Sequence, residues 1–125
     1  GSAELVGPLA RLGAWFGFPG YFLHGRKARQ REVFRRVPRD RLLVETDAPD
    51  QRLPREPEWR EMGGPDGGGA VADWEPLELE GLEGRPLNHP ANLGLVYSGL
   101  AEVLGVPVST LVESVRSGFE RLFEG

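Results

Sequence analysis

The segment Leu42-Leu43-Val44-Glu45-Thr46-Asp47-Ala48-Pro49 places two carboxylates, one residue apart, at the end of a short apolar run. Leu42 to Val44 have no polar alternation, which is how a strand covered on both faces reads. Side chains alternate across a strand, so Glu45 and Asp47 share a face with Leu43 while Thr46 lies opposite. Pro49 lacks a backbone donor and restricts Ala48, which ends the strand just past Asp47. A carboxylate so placed is costly unless a cation or hydrogen-bond donors meet it. Two chemistries suit it: binding a divalent metal, or orienting and deprotonating a water. The plainer alternative is that Glu45 or Asp47 caps the next loop or pairs with an arginine.

Other candidate groups lie upstream. His24 follows an expected strand, so it can face the same mouth as Asp47 or stand as a solvated loop histidine. Arg26, Lys27 and Arg29 open a basic stretch there and can meet phosphate at a helix start. Arg31, Arg35 and Arg36 read as the solvated outer face of that helix. His24 and His89 are far apart and form no His-x-His or Glu-x-x-His pattern. His89 reads as structural, in capping. No Walker loop, Rossmann glycine fingerprint or Gly-x-Ser-x-Gly elbow is present.

The elements that must position these groups follow from periodicity and breakers. Residues 4–12 predict a short helix ending at Gly13, and residues 14–18 predict a buried strand closed by Pro19-Gly20. Gln30, Val33, Phe34 and Val37 recur at helical spacing within 26–37, and Pro38 ends that helix. The strand at 42–47 follows, so helix and strand alternate as in α/β units around a parallel sheet. Residues 50–87 break the pattern with glycine runs, five prolines and no clear period, reading as a lid or a disordered insertion. Trp59, Trp74, Leu77, Leu79 and Leu82 are candidate anchors within it, and a structured turn is conceivable at 74–82. A helix begins after Asn88-His89-Pro90, with Leu93, Val96, Tyr97, Leu100 and Leu104 on its apolar face, and stops at Gly105. The last helix begins near Ser109 or Thr110, with Thr110-x-x-Glu113 as a capping box and Leu111, Val115, Phe119, Leu122 and Phe123 as its buried stripe.

The 125 residues suit one small domain or a piece of a larger one. Two strands cannot make an independent sheet, so the chain reads as one end of a larger α/β domain. The net charge of −4 conceals a polarity: residues 26–41 carry a net +6 and residues 45–83 a net −9. The overall balance is therefore a poor guide to partners. Without cysteine there is no disulfide framework, Cys-based zinc site or thiol nucleophile. A cytoplasmic location fits, no stretch approaches the length of a membrane helix, and no membrane partner is expected. The start at Gly1-Ser2 rather than Met reads as a processed, tagged or truncated product.

The run Pro38-x-Asp40-Arg41-Leu42-Leu43-Val44-Glu45-Thr46-Asp47-Ala48-Pro49 resembles the last-strand signature of the TatD family of metal-dependent deoxyribonucleases. Residues 12–20 look like that family's preceding strand, Asn88-His89-Pro90 like its Asn-x-Pro helix start, and residues 118–123 like its closing helix. The resemblance implies a (β/α)8 TIM barrel that hydrolyses DNA phosphodiester bonds with a divalent metal, Mg²⁺, Mn²⁺ or Zn²⁺. It implies that residues 1–125 are the C-terminal part of that barrel, its last two strands and their helices, with 50–87 as an acidic Gly/Pro-rich insertion. Asp47 carries over as metal ligand or water-orienting base. Glu45 carries over as part of the motif. Gly17 stands where a serine is common and Gly118 where asparagine is usual. The family's His-x-His, bridging glutamate and later strand histidines have no counterpart, so the fragment alone should be inactive. DNA, another phosphodiester or a small molecule is the expected substrate. The alternatives are a binding module docking an anionic partner through 26–41, and an inactive remnant of the barrel.

Overall fold

The computed structural model describes residues 2–46, 48, 51–59, 74–81, 84 and 86–124. Helix α1 spans Ser2–Arg11 and strand β1 spans Phe16–Pro19. Helix α2, Ala28–Arg35, leads into strand β2, Leu42–Glu45. A short β3, Glu78–Glu80, and β4, Pro86–Asn88, precede α3, Leu93–Leu104, and α4, Val108–Glu124. The expected order of helix and strand holds. The breakers act where they stand: Gly13 turns the chain after α1 at φ 93°, and Gly105 caps α3 at φ 70°, a region open to glycine.

β1 and β2 pair in parallel, with Phe16 opposite Leu42 and Pro19 opposite Glu45. β3 and β4 form a separate antiparallel ribbon, Glu78 opposite Asn88. The architecture is thus mixed α/β with two small sheets, consistent with part of a TatD-type barrel, and no barrel closes among the described residues.

The core lies on one side of the parallel pair. Phe18, Leu23, Leu42, Val96, Leu100 and Leu111 are fully buried there. Phe18 meets Phe34 edge-on at 5.0 Å and Phe22 at 5.8 Å, the geometry ring quadrupoles favour. Helix α3 comes so close that a Cβ on Gly99 would sit 2.5 Å from Leu23 Cδ1.

Several sequence expectations need correction. Leu42 is buried but Leu43 only half so, because its face is left open at Gly17 and Glu45; Val44, on the face of Leu42, is half-buried against the core. On α4, Leu111 and Val115 are buried, whereas Phe119, Leu122 and Phe123 are exposed; periodicity marks an apolar face without saying what covers it. Leu93 is likewise exposed at the start of α3. Helix α4 begins at Val108, which puts Thr110 inside it, and Glu113 pairs with Arg116 at 3.2 Å instead of closing a capping box. The stretch after β2 is not wholly without structure: Leu53 and Trp59 join the core, Trp74 packs on Trp59 at 4.6 Å, and Trp74 Nε1 donates to the Pro54 carbonyl at 2.6 Å. Leu77 and Leu79 are exposed and stand outside the core, and the turn expected at 74–82 contains β3. Leu82 and residues 60–73 lie outside the described residues.

Candidate functional site

In a parallel pair the carboxyl ends of both strands share one rim. Here that rim gathers the turn after β1, Glu45 at the end of β2 and the segment from Gln51. Glu45 is exposed, and its side chain lies back over β1: a Cβ built on Gly17 would stand 3.3 Å from Glu45 Oε1. Gly17 therefore leaves the room that this carboxylate occupies. Asp47, the other sequence candidate, lies outside the described residues.

The end of β2 is fixed by two buried asparagines. Asn88 Nδ2 donates to the Thr46 carbonyl at 2.7 Å, and Asn92 Nδ2 donates to Asn88 Oδ1 at 2.9 Å. Asn92 also donates to the Leu77 carbonyl and accepts from the Leu77 N–H, both at 2.8 Å. Both side chains are 1% exposed, so an unmet amide here would be expensive. The Thr46 hydroxyl accepts from the Ala48 N–H at 3.2 Å. Beside them His89 Nδ1 accepts from the Ala91 N–H at 2.9 Å, the capping role expected of it.

The turn after β1 is held from beneath by Arg31. Its guanidinium donates to the carbonyls of Phe22 at 2.7 Å, His24 at 2.5 Å and Gly25 at 3.4 Å. At 2% exposure it is no solvated face, contrary to the sequence expectation; Arg35 and Arg36 are exposed as expected. Burial lowers the Arg31 pKa, nearby Arg35 lowers it further, and Glu58 opposes both. Glu58 also accepts from the Gly25 N–H at 2.8 Å.

His24 is tied across the rim: Nε2 bonds the Arg52 carbonyl at 2.8 Å. A carbonyl only accepts, so Nε2 carries the proton and Nδ1 of the neutral ring is the acceptor. It is not the freely solvated histidine of the plainer reading. The His24 ring lies 4.9 Å from Tyr21, and the same tyrosine holds Arg26 at 5.0 Å and Lys27 at 5.1 Å from its ring centroid. The structure thus joins His24, Arg26 and Lys27 around Tyr21, a residue that sequence reading passed over. Arg29 is exposed on α2.

The opposite rim differs. A groove of about 540 Å³ between the start of β2 and α4 is lined by Arg39, Asp40, Thr110, Glu113 and Arg121. Its Asp40 and Arg121 pair at 3.2 Å. Next to it, Cβ on Gly118 would stand 2.9 Å from the Asp40 carbonyl and 3.0 Å from the Trp15 ring. Trp15, filling that corner, leaves no room for the asparagine expected there. In barrel folds this amino-terminal face serves stability.

The parallel pairing, the glutamate at the carboxyl end of β2 and the Asn88-His89-Pro90 segment ahead of α3 agree with what the sequence resembles. The family described as "TatD related DNase" matches residues 1–124. The chain belongs to the TatD-related DNase family. None of the curated proteins compared with it matches. The TatD family is one of metal-dependent hydrolases that use divalent cations. Among the described residues, no three His, Asp or Glu side chains converge where they could hold a metal ion. The described donor set therefore does not fit a divalent-cation centre. Of the site residues, Glu45 was legible from strand alternation. Asn88 and Asn92 carried no such signal: Asn88 ends β4 and Asn92 closes the short turn before α3, so no single period relates them.

Proposed function

We propose that this TatD-family chain is the closing, C-terminal part of a barrel hydrolase that cleaves phosphodiester bonds of DNA. The observation that carries the reading is the family match over residues 1–124. Two features support it. The parallel pair buries one face under helices and turns the other, with Gly17, Leu43 and Glu45, outward. In a barrel, that second face points inward and carries the reacting groups. The outer flanks also suit neighbours: Leu5, Leu9 and Leu12 around α1, and Phe119, Leu122 and Phe123 on α4, are exposed. We assign the remaining β/α units of the same barrel to those flanks.

Within this reading Asp47 is the residue of the chain that serves the metal or its water, and Glu45 accompanies it across the rim. The other ligands come from the rest of the barrel, so residues 1–125 alone do not hydrolyse DNA. The test is a nuclease assay on the complete protein with Mg²⁺ or Mn²⁺. Digestion of DNA is expected, with a loss of at least about 100-fold in Asp47→Ala, the scale of removing a group that acts at the reacting centre. Full activity in Asp47→Ala would refute its assignment, and hydrolysis by residues 1–125 alone would refute the shared site.

A further inference from the structure

We propose that Arg26 and Lys27, gathered on the ring of Tyr21, bind the phosphates of a single DNA strand beside the rim. The ligand class rests on the nuclease reading above; the binding itself does not require hydrolysis. Three observations converge on it. First, both cations lie about the same aromatic ring, at 5.0 and 5.1 Å from its centroid. Cations so held are brought together instead of spread by mutual repulsion. Second, among the described residues neither forms an ion pair with a carboxylate. The nearby Glu58 is turned to the Gly25 N–H and opposes the pKa lowering of Arg31. Third, the turn that bears them is built before any ligand arrives. Buried Arg31 clamps three of its carbonyls, Glu58 holds Gly25, and His24 is bonded to Arg52 across the rim.

The chemistry of the patch is that of a phosphate reader. A guanidinium offers a planar fork and an ammonium a compact point charge, and neither can accept a hydrogen bond. Consecutive positions 26 and 27 supply one of each. A phosphodiester strand fits such a pair better than one carboxylate does, since it presents charges in series. The placement adds direction: the patch follows β1 at its carboxyl end, on the rim that holds Glu45. A strand seated on Tyr21 would run past that rim.

The experiment is fluorescence anisotropy of a labelled single-stranded oligodeoxynucleotide with the 125-residue chain in EDTA, titrated over NaCl. Binding at low salt is expected, and Arg26→Gln/Lys27→Gln should weaken it about tenfold. The slope of log K against log salt should fall by about 1.4, since each phosphate contact on a single strand contributes roughly 0.7. Arg36→Gln/Arg116→Gln removes the same charge from exposed sites elsewhere and should stay within about twofold of the parent. Tyr21→Leu, which keeps both charges, should weaken binding as well, with an unchanged far-UV circular dichroism spectrum. No binding by the parent, equal losses in both double variants, or undiminished binding by Tyr21→Leu would overturn the proposal. Displacement by inorganic phosphate at matched ionic strength would make it a single-phosphate site and overturn the strand assignment. Binding by these rules together with no cleavage of DNA by the complete protein in Mg²⁺ or Mn²⁺ would refute the nuclease reading alone.

Discussion

The two faces of the β1–β2 pair differ as an interior differs from a surface, although neighbouring residues of the same strands make them. Toward the helices stand Phe18 and Leu42, both fully buried. Away from them stand Gly17 and Glu45, both exposed, Leu43, half covered, and Pro19, buried at the strand end. The helix side holds the fold, so its residues answer to packing. The open side has no such duty, and there a glycine makes room for a carboxylate. A packed face and an open one are separated across the thickness of one small sheet.

The sharpest way to break this comparison uses two adjacent leucines. Leu42→Ala should cost about 3 kcal/mol, the range for a fully buried leucine that leaves a cavity. Leu43→Ala should cost about 1 kcal/mol, since half-burial forfeits less apolar area and opens no closed void. Urea denaturation of both variants measures the difference. Equal costs would mean that the open face is covered in solution, and the separation of duties would fail.

A smaller effect is expected where the two faces meet, at the end of β2. Asn88→Ala removes the donor to the Thr46 carbonyl and orphans the Asn92 amide. About 2 kcal/mol should be lost, the cost of leaving buried polar groups unmet. Asn88→Asp is the sharper variant, because a carboxylate oxygen cannot donate to a carbonyl and should be worse than alanine at neutral pH. If Asn88→Asp proves as stable as the parent, the asparagine relay does not fix the strand end.

These residues also show what could be read in advance. Strand and helix positions were legible because Pro19, Pro38 and Gly105 punctuate strong apolar patterns. Glu45 was legible because strand alternation fixes its face. Arg31 was not: it lies three residues before Phe34, at the edge of the apolar face, and composition cannot tell a guanidinium bonding carbonyls from one in water. Tyr21 was passed over because a single aromatic carries no spacing signal. Leu53 was hidden by its company, an apolar residue in an aperiodic, proline-rich stretch, although Gly20 is shaped to receive it. The exposed stripe on α4 failed for the opposite reason, since a clear period says nothing about the partner.

The smallest effect belongs to the helix side and is read through pH. Tyr97, half-buried on α3, has its pKa raised above 10.0 by burial, which disfavours the phenolate. The folded state thus holds the phenol proton more tightly than the unfolded chain does. The resulting stabilisation is fully present below the unfolded pKa near 10 and is lost as pH rises through the folded value. Tyr97→Phe cannot ionise, so its stability relative to the parent should rise as pH climbs past the unfolded value near 10 and stay level well below it. With one lysine and two tyrosines in the sequence, few other groups complicate that alkaline comparison. Parallel urea midpoints for the two proteins on both sides of that value measure it. A constant difference would place the phenol of Tyr97 in water, and the helix side would then be less closed than Phe18 and Leu42 make it.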